Sequence, residues 1–113
     1  MADECIFCGI VRGEIPAQMV ANTADYLAFR DIAPQAPVHI VIVPRKHIGS
    51  LDDVTDSELL GRMTMLATAL ARQEGIAASG YRTVINTGKD GGQTVFHLHL
   101  HLLGGRHLKW PPG

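Results

Sequence analysis

Three histidines, His97, His99 and His101, alternate with Leu98, Leu100 and Leu102 near the end of a 113-residue chain. Side chains on an extended strand alternate between faces, so the imidazoles share one face and the leucines the other. The leucine face has an ordinary use, packing on a core. A row of three imidazoles does not, because a solvated strand face more readily carries Thr, Lys or Glu. It reads as a chemical site. Alternate residues stand about 6.6–6.8 Å apart along a strand, so His97 and His101 are roughly 13 Å apart at the backbone. The three cannot all hold one ion without a strong bend, and a division of labour is expected. Chelation by one H-x-H pair stays open. So does a terminal histidine in a metal shell, with the inner ones facing substrate.

The two cysteines, Cys5 and Cys8, form a C-x-x-C pair. In a reducing compartment such a pair is a metal half-site, a redox pair or two small buried residues, and all three readings stand. A thioredoxin-like role is the weakest, because that motif follows a strand and opens a longer helix. Structural zinc takes four N or S ligands. Cys5 and Cys8 supply two, and His97 and His47 could complete the set. A third feature, Gly88-Lys89-Asp90-Gly91-Gly92-Gln93-Thr94, runs directly into the histidine strand. Glycines allow successive backbone N–H groups to converge on a phosphate, although an ordinary hairpin loop has the same composition. No Walker A, dinucleotide fingerprint or nucleophile elbow is present.

These groups need elements to position them. A short helix is expected over residues 6–12, stopped by Gly13 and Pro16. Residues 19–21 and 26–29 read as a hairpin, turned at 22–25. Residues 31–37 form a loop set by two prolines, and 39–43 a β-branched strand stopped by Pro44. Thr55 and Glu58 have the spacing of a capping box, with Thr55 as N-cap. Behind them Leu59, Leu60, Met63, Leu66, Ala67 and Leu70 make one apolar helical face ending near Gly75, and that stripe with its two methionines is core. Strands over 81–86 and 96–103 bring the count to five. The class is α+β with a largely antiparallel sheet, whose two edges need cover or a partner.

Composition sets the outer limits. At 46% hydrophobic and 19% charged residues the chain is globular, which excludes extended disorder. Its length fits one domain spanning 1–113. Ten Lys plus Arg against eleven Asp plus Glu leave a net charge of −1. No broad basic field exists for nucleic acid or an anionic membrane, so an anion site must be built locally. The acidic start Met1-Ala2-Asp3-Glu4 lacks a signal-peptide pattern, and the apolar stretch over 38–43 is too short to span a bilayer. A cytoplasmic protein is expected.

The run His97-Leu98-His99-Leu100-His101-Leu102-Leu103 resembles the signature of the histidine-triad (HIT) superfamily, H-x-H-x-H followed by two apolar residues. Residues 31–39 and 90–96 extend the likeness. Leu103-Gly104-Gly105-Arg106 with Trp110-Pro111-Pro112-Gly113 is similar to the Hint branch. The resemblance implies a HIT-like fold, with one long helix, one short helix and a five-stranded sheet continued across a two-fold homodimer. It implies cleavage of purine nucleoside 5′-phosphoramidates, with His99 as the nucleophile that becomes nucleotidylated. His101 would bind phosphate and assist the leaving amine, His39 would support it, and Thr94, where relatives often carry Ser, would contact the leaving group.

On the same basis Asp31 would hold the ribose hydroxyls, and Phe7, Phe29 and Ile32 would line the base pocket. Asn86, Gly92, Gln93 and Thr94 would surround the phosphate. Bacterial relatives use the positions of Cys5, Cys8, His47 and His97 for structural zinc, which would place Phe7 over the pocket. Trp110 would approach the partner's site. Arg30, which could touch the ribose edge, reads rather as a solvated residue, and His107 has no role. The rival activities are dinucleoside polyphosphate hydrolysis, and nucleotide binding for regulation with incidental catalysis.

Overall fold

The structure, a computed structural model, describes residues 5–113. A one-and-a-half-turn helix α1 (Ile6–Val11) precedes a hairpin of β1 (Met19–Asn22) and β2 (Tyr26–Arg30). Strand β3 (Val38–Pro44) follows, then a 3-10 turn (Leu51–Asp53) and the long helix α2 (Ser57–Gln73). Strands β4 (Tyr81–Val84) and β5 (Leu100–Gly104) complete a five-stranded sheet in the order β1-β2-β3-β5-β4, with every pairing antiparallel. The α+β class and the five-stranded antiparallel sheet are as expected. No described helix is long and apolar enough to cross a membrane.

Both faces of the sheet are covered, which is why β2 is apolar from Tyr26 to Phe29 and β3 from Ile40 to Pro44. Ala28, Ile40, Ile42, Leu100 and Leu102 pack with Met63, Ala67 and Leu70 of α2. On the opposite face Leu27, Phe29, Val41 and Val43 pack with Phe7 and Ile10 of α1. Leu102 is fully buried where β5 meets α2. Leu102→Ala should therefore cost about 2–5 kcal/mol. Urea unfolding should show it as a lower midpoint with an unchanged slope.

Three boundaries depart from expectation. The N-cap of α2 is Asp56, whose Oδ1 accepts the Glu58 N–H at 3.0 Å, so the Thr55–Glu58 box does not form. A carboxylate one residue nearer the helix serves its positive N-terminus better than a hydroxyl. Met65 is 63% exposed, because two residues beyond buried Met63 lies the far side of the helix. The last strand begins at Leu100 rather than 96, and β4 ends at Val84 rather than 86. In the register that pairs Ile42 with Leu100, the ladder would next bring Pro44 opposite Leu98. Pro44 has no N–H to give. The Leu98 N–H instead donates to the Ile48 carbonyl at 2.6 Å, and the chain leaves the sheet there.

Candidate active site

Although the hydrogen-bond ladder stops at Leu100, the side-chain alternation continues through it. Leu98, Leu100 and Leu102 lie in the core beneath α2. The histidine rings lie on the opposite face, under α1. Phe7 meets His97 and His99 edge-on, with centroids 5.9 and 5.0 Å away, and the His99 and His101 centroids are 5.0 Å apart. His97 is wholly buried and His99 nearly so.

Backbone groups set the protonation of each ring. His99 Nδ1 lies 2.6 Å from the His97 carbonyl, which can only accept, so Nδ1 carries the proton and Nε2 the lone pair. The Gln35 N–H donates to His39 Nδ1 at 3.0 Å, which puts the proton of neutral His39 on Nε2. That N–H donates to His101 Nδ1 at 2.9 Å, leaving the His101 proton on Nε2. Asp31 Oδ2 is 3.5 Å from His39 Nε2, and Oδ1 accepts the Ala33 N–H at 2.8 Å. The result is a bare nitrogen on His99 beside an N–H donor on His101.

Burial pushes His39 and His99 below the usual histidine range, although the Asp31 charge opposes the shift in both. Burial lowers His101 to about 4, reinforced by His99 and His39 and opposed by Asp31. The rings are thus neutral at pH 7, as a nucleophile requires. The unfolded chain regains ordinary histidines that bind protons near pH 6.5. Below that pH it takes up protons that the folded state refuses, so stability is complete above about 6.5 and is lost as pH falls toward 4. Denaturation midpoints between pH 7.5 and 4.5 should decline accordingly, and a flat profile would refute the neutral-ring assignment.

A cavity of about 400 Å³ opens over these rings. Phe7, Ile10, Phe29 and Val41 form its apolar part, and Asp31, Asn86, Gly92, Thr94, His99 and His101 its polar part. Nine predicted residues therefore converge: Phe7, Phe29, Asp31, Ile32, Asn86, Gly92, Thr94, His99 and His101. Ile32 also lines it, 97% exposed at the rim, and Ile10 and Val41 add to the apolar wall. Those two were missed, yet Val41 is the register partner of Phe29 and shares its face. His39 sits behind His101 and acts through it.

Gln93 does not line this cavity. Its amide donates to the Gly49 and Val95 carbonyls at 2.8 and 3.1 Å and accepts the Gly88 N–H at 2.9 Å. The glycine loop is closed on itself in the same way, with Gly92 N–H on the Lys89 carbonyl and Gln93 N–H on that of Gly88, both at 3.0 Å. These amides are not turned toward an anion as the composition suggested. The glycines serve the turn: Gly92 has φ +85°, and a Cβ at Gly91 would lie 2.3 Å from the Thr87 carbonyl oxygen. Arg30 is not merely solvated. Its guanidinium grips Glu74 beyond the end of α2 at 2.5 and 3.1 Å, tying the strand before Asp31 to that helix. His107 is exposed beside Arg82 and Arg106, where nothing gives it a task.

A second cluster adjoins the first through His97. Ligand atoms of Cys5, Cys8, His47 and His97 all lie within 4.8 Å of one another, and the four could hold a metal ion. Cys8 Sγ is 3.2 Å from His47 Nδ1, and His97 Nδ1 is 3.4 and 3.5 Å from the sulfurs of Cys5 and Cys8. Around a tetrahedral zinc, with Zn–S near 2.3 Å and Zn–N near 2.0–2.1 Å, adjacent ligand atoms stand about 3.5 Å apart. The donor set fits. His97 Nε2 lies 2.9 Å from the Pro44 carbonyl, so it carries the proton and turns a bare Nδ1 toward the sulfurs, as a ligating imidazole needs.

The HIT domain model matches residues 12–108. That range contains the triad, His39, His47 and Asp31. The chain belongs to the HIT family. The purine nucleoside phosphoramidase of Escherichia coli is 51% identical over 110 residues, covering 96% of this chain and 92% of that protein. An uncharacterized HIT-like protein of Synechococcus elongatus is 55% identical over 115 residues, with both chains fully covered. Among solved structures, a HIT family hydrolase from Legionella pneumophila superposes with a TM-score of 0.95 at 54% identity, covering 97% of this chain and all of that one. Cys5, Phe7 and Cys8 lie just before the matched range.

Proposed function

We propose that this HIT hydrolase cleaves purine nucleoside 5′-phosphoramidates, of which adenosine monophosphoramidate is the simplest, to nucleoside monophosphate and amine. The observation that carries the reading is the bare Nε2 of His99 facing a nucleotide-sized cavity, its tautomer held by the His97 carbonyl. The 51% identity to a purine nucleoside phosphoramidase supports the substrate class.

In this mechanism His99 Nε2 bonds to phosphorus as the P–N bond breaks, giving a nucleotidyl-histidine. His101, donating through Nε2, contacts a phosphoryl oxygen and steadies the departing amine, which takes its proton from a water molecule. That water, left as hydroxide, attacks phosphorus, and the P–His99 bond breaks with its electron pair returning to Nε2. His39 keeps His101 oriented throughout. Rate comes chiefly from positioning and from donors set at the phosphoryl oxygens. Thr94 and Asn86 contact the phosphate and leaving group, and Gly92 keeps the backbone close there. Gln93 contributes by bracing the loop.

Asp31 accepts from the ribose hydroxyls, with Phe7 and Phe29 against the base. Hydrogen bonds to a charged acceptor contribute about 1.5–3 kcal/mol. Asp31→Asn should accordingly raise KM for a ribonucleotide substrate about tenfold or more, and change that for its 2′,3′-dideoxy analogue far less. Equal effects on both substrates would remove Asp31 from the ribose site.

Cys5, Cys8, His47 and His97 hold zinc on this reading. The ion supplies a cross-link that anchors α1 and takes no part in the chemical step. Two copies pair through exposed sheet edges into a two-fold dimer, an arrangement that relieves one unpaired edge in each. Arg82 favours the β4 edge for this role, because it holds the tail there through the Leu108 and Lys109 carbonyls and stacks on Trp110, which is 79% exposed.

A substrate panel decides the activity. Adenosine phosphoramidates should be hydrolysed at least about a hundredfold more efficiently than diadenosine tri- or tetraphosphate, a gap of nearly 3 kcal/mol. The reverse ranking would make the protein a dinucleoside polyphosphate hydrolase. No turnover of either class, with nucleotide binding retained, would make it a binding module.

A further inference from the structure

We propose that Cys5 and Cys8 are an oxidant-responsive thiol pair, whose conversion to a disulfide by hydrogen peroxide releases the metal and unseats Phe7 from the nucleotide cavity. The inference rests on the zinc reading above and extends it from anchorage to control.

Access comes first. Cys5 is half-buried and lines a cavity of about 780 Å³ together with His47, Gly49 and Phe96. That cavity includes neither His99 nor His101, so a small oxidant reaches Cys5 without passing the nucleotide site. Cys8 is buried, with its sulfur within 4.8 Å of that of Cys5. A sulfenic acid formed at the accessible sulfur therefore has a resolving sulfur beside it.

The chemistry closes with one peroxide. The Cys5 thiolate attacks a peroxide oxygen, forming S–O as O–O breaks and hydroxide leaves. The Cys8 thiolate then attacks the Cys5 sulfur, forming S–S and expelling a second hydroxide. Two thiolates lose two electrons in all, and the peroxide gains them. The zinc ion keeps its charge, is left with two histidines, and dissociates.

The link to the nucleotide site is the tetrapeptide Cys5-Ile6-Phe7-Cys8. While both sulfurs bind the ion with His47 and His97, the segment is tied to the loop after β3 and to the approach to β5. A disulfide ties its two ends only to each other. Phe7 then rests over the triad by packing alone, its ring 5.0 Å from that of His99 and 5.6 Å from that of Phe29. Nucleotide affinity should fall with it.

The test uses the reduced, zinc-loaded protein and stoichiometric hydrogen peroxide. Zinc release is read with a colorimetric chelator, thiol state by labelling and intact mass, and affinity with a fluorescent AMP analogue. The expected result is one zinc released per disulfide, a mass lower by two hydrogens after chelation, and a Kd raised about tenfold. Dithiothreitol with zinc should restore all three. Phe7→Ala, reduced and loaded, should already bind weakly and shift less than about twofold on oxidation, while still releasing zinc. Zinc retained with both thiols intact would overturn the proposal. So would a disulfide formed with the wild-type Kd unchanged, or oxidation to sulfinic acid in place of a disulfide. Protein purified in reductant without zinc would overturn the zinc reading and this inference with it. Failure of the reduced protein to bind the AMP analogue would instead sink the nucleotide reading, while metal release and mass still judge the thiol chemistry.

Discussion

Replacing His99 with glutamine is expected to lower kcat for adenosine phosphoramidate by at least about ten-thousand-fold, the scale seen when a covalent nucleophile is deleted. Glutamine fills a similar volume, and its amide N–H can still donate to the His97 carbonyl, so the site keeps its shape. An amide has no lone pair able to attack phosphorus. Affinity for AMP should change by less than about tenfold, because His99 is only one of several groups around the phosphate. Acid-quenched wild-type reactions should carry the mass of one nucleotidyl group, and the variant none. Residual turnover above about one per cent of wild type, in protein of unchanged melting temperature, would end the covalent mechanism.

The second large effect is on stability. Cys8→Ala, or chelation of the reduced protein, should lower the melting temperature by at least about 10 °C, equivalent to roughly 3 kcal/mol or more for a chain of this size. The reason is the origin of the four ligands. Two come from the segment around α1, one from the loop after β3 and one from the approach to β5, so an ion would add a cross-link to the packing of Phe7 and Ile10 that already holds α1 on the sheet. A structural zinc site contributes directly to folding. Elemental analysis should find about one zinc per wild-type chain and none in the variant. A melting curve indifferent to chelation would reduce the cluster to packing.

Much of this could be read from residue types and spacing because the relevant physics is local. The alternation of His97 to Leu102 assigns sides correctly even where no strand exists, since side-chain direction depends on extended backbone and not on its hydrogen bonds. The strand boundary depends on what lies opposite, and Pro44, fifty-odd residues away, is invisible to a local pattern. Gln93 and the glycine loop show the same limit in another form. Composition announces a tight, amide-rich turn, but whether its N–H groups face a ligand or one another is decided by the fold. Arg30 is a related case: only the tertiary path shows that its guanidinium reaches Glu74. His39 behind His101, and the ring of Phe7 above the triad, follow the family likeness, and their tautomers and distances needed the assembled molecule.

Cys5 and His97, whose side chains touch, are separated by 92 positions in the chain. During synthesis, which proceeds at about 5–20 residues per second, the amino-terminal half of the site must therefore wait several seconds for its other half to emerge. Until then the cysteine pair is an unfinished chelate in a chain lacking β5, the strand that joins β3 to β4. Closing so long a loop is entropically unfavourable, though the cost grows only slowly with its length. An ion held there would stabilise the folded chain by binding it in preference to the unfolded one, in which the four ligands lie apart. The histidine face and the four-residue cluster are thus completed together, only after the segment leading into β5 has been made.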